Sequence, residues 1–203
     1  MRIDREHHFK RVFSTLRATG FLLLSDPTLP SVCSLITGEP LRRSWWSHPL
    51  SHEIFQVSQS LEEHSEVAVT KLISGKVTFL HKIFWSHIFV IGTAREPWQI
   101  KVLSANARVL LARIDRLGSL RTDTIADAKA PAAELEKRLL INVSQVHTES
   151  GMHAKLLESW RHWGERRGLR CAAISPDEAR RALESRLSRL NRKFSARGKL
   201  PWQ

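Results

Sequence analysis

The chain has 203 residues, of which 42% are hydrophobic and 26% charged, the usual mixture of a folded globular protein. That mixture excludes a disordered, collagen-like or disulfide-scaffold protein. Lys and Arg number 32 against 20 Asp and Glu, a formal net charge of +12, and a basic balance of this size favours polyanionic partners.

Of the 32 cations, 22 are Arg, the residue suited to forked contacts with phosphate. The two cysteines, Cys33 and Cys171, form no Cys-x-x-Cys pair, which fits a reducing compartment. Met1–Lys10 carries Asp4, Glu6 and two histidines, with no apolar stretch of signal length behind them. The longest apolar run, Ile83–Ala94, is interrupted by His87 and falls short of a membrane span. The expectation is a cytoplasmic bacterial protein with no membrane partner.

In chain order, Glu6–Thr19 reads as a helix with Phe9, Val12, Phe13 and Leu16 at helical spacing, stopped by Gly20. Phe21–Leu24 suits a buried strand, and Leu29–Ile36 a short helix ended by Gly38. Glu39–Pro49 is irregular, and Leu50–His64 is helical, with Ile54, Phe55, Val57, Ser58 and Leu61 on one side. Glu66–Ile73 and Val77–His81 form a hairpin around Ser74-Gly75-Lys76. Phe84–Ala94 is apolar at helical spacing and is broken by Glu96-Pro97-Trp98.

A second set of elements begins near Leu103. Ser104 caps a helix to Leu117, and Ser119–Thr122 is an extended link followed by a brief segment, Thr124–Ala128. Pro131 opens a third helix through Leu140. Ile141–His147 and Met152–Leu157 are strands around a turn at Thr148–Gly151. Helix, short helix, helix, hairpin is the order of a winged helix-turn-helix, and Leu103–Glu158 resembles that family. The resemblance implies DNA binding, with the third helix in the major groove and the hairpin tip on phosphate or the minor groove. The whole chain is also similar to an uncharacterised group of bacterial proteins. The residues behind that similarity are the Leu-Leu-Leu-Ser-Asp-Pro run from Leu22, Ser44-Trp45-Trp46-Ser47-His48-Pro49, Thr70–Lys76 and Ala94-Arg95-Glu96-Pro97-Trp98. It transfers no functional residues.

Trp160–Gln203 holds twelve Lys/Arg and four Asp/Glu. Ser175-Pro176-Asp177-Glu178 is a strong helix start, and Ala179, Ala182, Leu183, Leu187, Leu190 and Phe194 form one stripe. The expected fold class is therefore α+β. A small N-terminal α/β unit with a short hairpin (1–101) precedes a winged-helix-like module (102–158) and a basic helical tail (159–203).

The leading functional expectation is nucleic-acid binding, with duplex DNA as partner. Its candidate residues are Arg138, Lys155, Arg180, Arg181, Arg189 and Arg192. Two features weaken the third helix as a reader. Its polar residues, Glu134, Glu136, Lys137 and Arg138, cancel in charge, whereas phosphate contacts supply most affinity. The hairpin adds only Gln145, His147, His153 and Lys155. The basic tail is read as a phosphate-tracking helix or as a solvated face packed by its leucines. Arg42–Pro49 is read as a base-stacking clamp or as a loop anchored by one Trp while the other covers the next helix.

The alternative class is an enzyme acting through His48, Lys71, Lys76 and His81, as a base and nucleophile or as a phosphate site. A plain hairpin turn with exposed lysines explains the same residues. An interaction scaffold is the third class. No Gly-x-x-x-x-Gly-Lys-Ser/Thr, Gly-x-Gly-x-x-Gly, Gly-x-Ser-x-Gly or His-Glu-x-x-His pattern occurs, so no cofactor and no metal are expected.

Overall fold

Short local signals set most of the element ends. Ser31 and Ser34 cap each other's backbone at the start of one helix, and Gly38 closes it at φ 84°, a left-handed position that suits glycine. Ser104 caps a second helix by accepting from the Ala107 N–H. Ser175 and Glu178 form a reciprocal pair at the start of a third. The structure, a computed structural model, describes residues 2–41, 43–147, 153–170 and 173–203. The expected turn at Thr148–Gly151, Met152, Arg42 and Cys171 lie outside the described residues. Helices and two small antiparallel sheets make the fold mixed α+β. No helix among the described residues is long and apolar enough to cross a membrane.

The chain divides into two compact units, and their bounds differ from the segments 1–101, 102–158 and 159–203. One unit contains 2–85 and 182–201, and the other contains 86–181. The stretch 159–203 is thus shared between them, because its tryptophans and leucines are core residues rather than a separate tail.

In the first unit, α1 (Arg2–Thr19) leads to β1 (Phe21–Leu23), α2 (Val32–Thr37) and α3 (Ser51–Glu63). Then β2 (Val67–Ile73) and β3 (Lys76–His81) form a hairpin. The sheet order is β1-β3-β2, all antiparallel, with Leu22 opposite Phe79 and Val67 opposite His81. Ser74 and Gly75 both have positive φ (52° and 69°), as a two-residue primed turn requires. Val12, Leu16, Val32, Ile36, Ile54, Val57 and Leu61 from the three helices bury against Leu22, Val67 and Phe79.

The C-terminal segment completes this unit. Leu187 and Leu190 are buried. Asn191 holds Gly198 through two 2.9 Å hydrogen bonds. The Ser74 N–H donates to the Lys199 carbonyl at 2.7 Å, so the segment is pinned to the β2–β3 turn.

The second unit contains α4 (Trp85–Ala94), α5 (Pro97–Ile100), α6 (Ala105–Leu117), β4 (Ser119–Arg121), α7 (Lys129–Lys137), β5 (Ile141–His147), β6 (His153–Ser159) and α8 (Trp160–Arg166). The last helix, α9 (Pro176–Phe194), starts here and is assigned to the first unit from Ala182 onward. The sheet order is β4-β6-β5, antiparallel. Its core joins Ala107, Leu110, Leu111 and Ile114 of α6 to Leu135 of α7 and Leu157 of β6.

Three details depart from the sequence reading. Ser119–Arg121 is a strand rather than a link, and the brief segment after it is a 3-10 turn at Thr122–Thr124. α7 opens two residues before Pro131 and stops at Lys137, short of Leu140. The stop is closed locally, with the Leu139 N–H donating to the Glu136 carbonyl and the Leu140 N–H to the Leu135 carbonyl, both at 3.0 Å. Leu139 adopts φ 53°, a costly conformation for a bulky residue. Its carbonyl accepts the buried indole N–H of Trp160 at 2.7 Å.

Candidate nucleic-acid interface

The cations proposed from sequence fall into two groups. Arg138 is half-buried at the end of α7 and donates to the Trp98 carbonyl, while its own carbonyl accepts from Gln99 at 3.1 Å. Arg180 is held by Glu96 and Asp177. Both are structural. Lys155 is 3.9 Å from the buried Glu136 carboxylate, a loose pair that leaves it on the surface of β6. Arg181, Arg189 and Arg192 are exposed. Arg189 and Arg192 make only 3.3 Å contacts to Ser185 and Ser188 one turn earlier.

The exposed set extends beyond those residues. Lys193, Arg197 and Lys199 are also exposed, and Ser185–Gln203 holds six Lys/Arg and no Asp/Glu. Arg186 is the exception in this stretch. It donates to the Ala18 carbonyl and lies 5.7 Å from the Phe84 ring. Among the described residues, Arg189, Arg192, Lys193, Arg197 and Lys199 have no carboxylate partner. The leucine stripe explains why Arg189, Arg192 and Lys193 face water: Leu183, Leu187 and Leu190 are buried, so the opposite side of the amphipathic α9 must be solvated, and Arg197 and Lys199 follow beyond its end at Phe194. The acid-free composition after Ser185 was the sequence signal for Lys193, Arg197 and Lys199.

α7 looks different once its acids are placed. Glu134 accepts the Ser104 N–H at 2.9 Å and its hydroxyl at 2.8 Å. These bonds hold its carboxyl below the usual range, hydroxyl first and backbone second. Glu136 is buried. The fully exposed positions of the helix are Lys129, Ala130, Ala133 and Lys137. The charges that cancel in sequence therefore do not cancel on the exposed face, which is cationic and lined by small residues.

The enzymatic candidates are not brought together. Val67 is the cross-strand partner of His81, so Lys71 lies four residues further along β2, about 13 Å away at the rise of a strand. His81 is buried and contacts Glu66 at 3.2 Å, and Glu66 also accepts Lys82 at 2.6 Å. Burial lowers the imidazole pKa of His81, and Glu66 only partly offsets it. Lys76 pairs with Asp26 at 2.7 Å. Burial raises the Asp26 carboxyl, but Lys76 and the Leu29 and Thr28 N–H groups outweigh it and leave the pKa lowered. His48 accepts the Leu50 N–H at 3.1 Å and fixes its own loop. Burial pushes the Cys33 thiol up to about 11, against a hydrogen bond with Ser25, so it carries no thiolate at neutral pH.

The second unit has a polar cleft of about 320 Å³ lined by Thr93, Arg95, Asp115, Ser159, Trp160 and Arg161. Its two arginines differ. Arg95 is neutralised by Asp115 at 2.6 Å, and Arg161 is exposed. Among the described residues no group of three or more His, Cys, Asp or Glu is placed to hold a metal ion.

Compared with known proteins, the chain matches no family model, no curated protein and no solved structure.

Proposed function

We propose that this protein binds nucleic acid, with duplex DNA as the first target, through phosphate contacts from Arg189, Arg192, Lys193, Arg197 and Lys199. The observation that carries this reading is the exposure of five cations without carboxylate partners on a segment whose apolar side is buried. A solubilising surface needs charge of either sign. A phosphate surface needs one sign, unpaired and held in place.

A winged-helix role for the second unit is part of the same proposal. It is supported by the order helix, strand, 3-10 turn, helix, hairpin and by the sheet order β4-β6-β5. It is also supported by the small, cationic outer face of α7, which suits approach to a groove.

The test is fluorescence anisotropy with a labelled duplex across a salt series. Five phosphate contacts predict a log–log salt slope of about −4.5, a loss of about 500-fold in affinity from 50 to 200 mM salt. Deleting 160–203 is the wrong control, because Trp160, Trp163, Leu183 and Leu187 are buried. Combined substitution of Arg189, Arg192, Lys193 and Arg197 by Ala removes charge without removing core. Duplex binding that is absent at low salt, or unchanged in this variant, overturns the proposal.

A further inference from the structure

The geometry points to a second contribution to that nucleic-acid reading, on which it rests: the Trp45–Trp46 loop is a stacking platform for an unpaired nucleobase, so the target carries single-stranded bases. Trp45 packs on the core of the first unit. Trp46 lies on its ring at 3.7 Å between centroids and 26° between planes, yet remains 64% exposed. The Trp46 ring lies 6.3 Å from Phe55 of α3, itself 39% exposed, at a tilt of 38°. Exposed indoles held on a fixed support are the usual means of binding bases without reading their sequence.

Three local hydrogen bonds hold the loop that carries the platform. Ser47 Oγ donates to the Ser44 carbonyl at 2.9 Å, the His48 N–H to the Trp45 carbonyl at 3.1 Å, and the Ser51 N–H to the His48 carbonyl at 2.9 Å. Ordering costs on binding are correspondingly small.

Charge selects the occupant. Pro40–His52 contains Arg42, Arg43, His48 and His52 and no Asp or Glu, and Arg43 is exposed. The next carboxylate along the chain, Glu53, is taken up by His8 at 2.6 Å. An exposed aromatic face in an acid-free stretch that also carries the exposed Arg43 complements a base and its phosphate. The exposed apolar set, Trp46, Leu50 and Phe55, is too small for the roughly 1,200–2,000 Å² of a stable protein interface.

The experiment compares labelled oligo-dT, oligo-rU and a mixed-sequence duplex on the full chain and on Trp46→Leu and Trp46→Phe. Leu keeps an apolar side chain but no ring face. Trp46→Leu is expected to lower single-strand affinity by about tenfold while duplex affinity stays within about twofold, and Phe restores most of the loss. A preference between oligo-dT and oligo-rU tells DNA from RNA as the source of the base. Unfolding midpoints of both variants are expected to match the parent, since Trp46 is exposed.

Duplex binding that loses affinity in the Arg/Lys variant, with single-strand affinity indifferent to Trp46, overturns the platform and leaves the phosphate reading standing. No binding to any of the three probes overturns both. A parent dimer in sedimentation that Trp46→Leu converts to monomer overturns the platform by assigning the patch to a second copy.

Discussion

Some arginines of the two units do opposite work, although Arg161 and Arg181 of the second are exposed as well. In the second, Arg95, Arg108, Arg138, Arg166 and Arg180 each donate to a carboxylate or a backbone carbonyl. They tie helices to neighbouring helices, loops and, through Arg166 and Glu158, to a strand. In the C-terminal part of the first, Arg189, Arg192 and Arg197 have no such partner among the described residues and are exposed. Residue type and net charge are the same in both places. What differs is whether an acceptor was built beside the guanidinium. A charge count therefore overstates an interface unless the structural cations are subtracted first.

Removing a structural arginine gives the sharpest break in that contrast. Glu158 is 1% exposed and is held by Arg166 in two parallel hydrogen bonds of 2.7 and 2.8 Å. Arg166→Ala strips both short hydrogen bonds from a buried carboxylate whose other basic neighbour, His162, stands 3.8 Å away, and urea unfolding is expected to show a loss of about 3 kcal/mol or more. A loss below about 1 kcal/mol would mean that water reaches Glu158.

Packing in the same unit gives the next effect. A Cβ at Gly92 would stand 2.2 Å from the Trp160 ring. Gly92→Ala is expected to cost about 1–3 kcal/mol, read from thermal or urea unfolding. Ser104→Ala removes the α6 cap and one of the two bonds on Glu134. It is expected to cost about 1 kcal/mol and, by releasing Glu134, to weaken duplex binding.

Acid acts more gradually. Burial lowers the pKa of both His81 and His87. The unfolded chain, with an ordinary value of 6.5, then takes up protons before the folded one does. Stability is therefore complete above that value and falls as pH drops through it. Denaturant midpoints measured from pH 7.5 to 5.5, a window of about two units around the unfolded value, are expected to decline. The decline should flatten when His81 and His87 are both replaced by Gln.

The smallest effect on stability belongs to the solvent-facing arginines. Arg189→Ala and Arg192→Ala are each expected to stay within about 0.5 kcal/mol of the parent, although their combined loss is expected to remove binding. Instability in these variants would place them with the structural arginines.

Sequence periodicity and capping residues locate most of this fold. The hairpin at Ser74-Gly75, the helix behind Ser175-Pro176 and the helix behind Ser104 are all legible, because each is fixed by contacts within a few residues. Long-range partners are not legible. The residue type does not mark Leu139 as a left-handed stop, and the partner of its carbonyl, the Trp160 indole N–H, is 21 residues away. Nor does Glu134 announce that it will turn to Ser104, thirty residues away. The proposed interface was legible to the same degree. Arg189 and Arg192 follow from their position off the leucine stripe. Arg138 and Arg180 look equally free in sequence, and only their partners Trp98 and Glu96 remove them. Trp46 was open between covering α3 and stacking. In the fold it borders Phe55 and still leaves most of its surface in water.

The pin between Ser74 and Lys199 has a consequence for the order of assembly. The first unit is discontinuous, with 86–181 inserted between its two parts. During synthesis its helices and hairpin emerge well before 182–201, the C-terminal part of the same unit. Closing so long a loop slows the final step, and until then the apolar residues that the C-terminal segment shields remain open to chaperones and proteases.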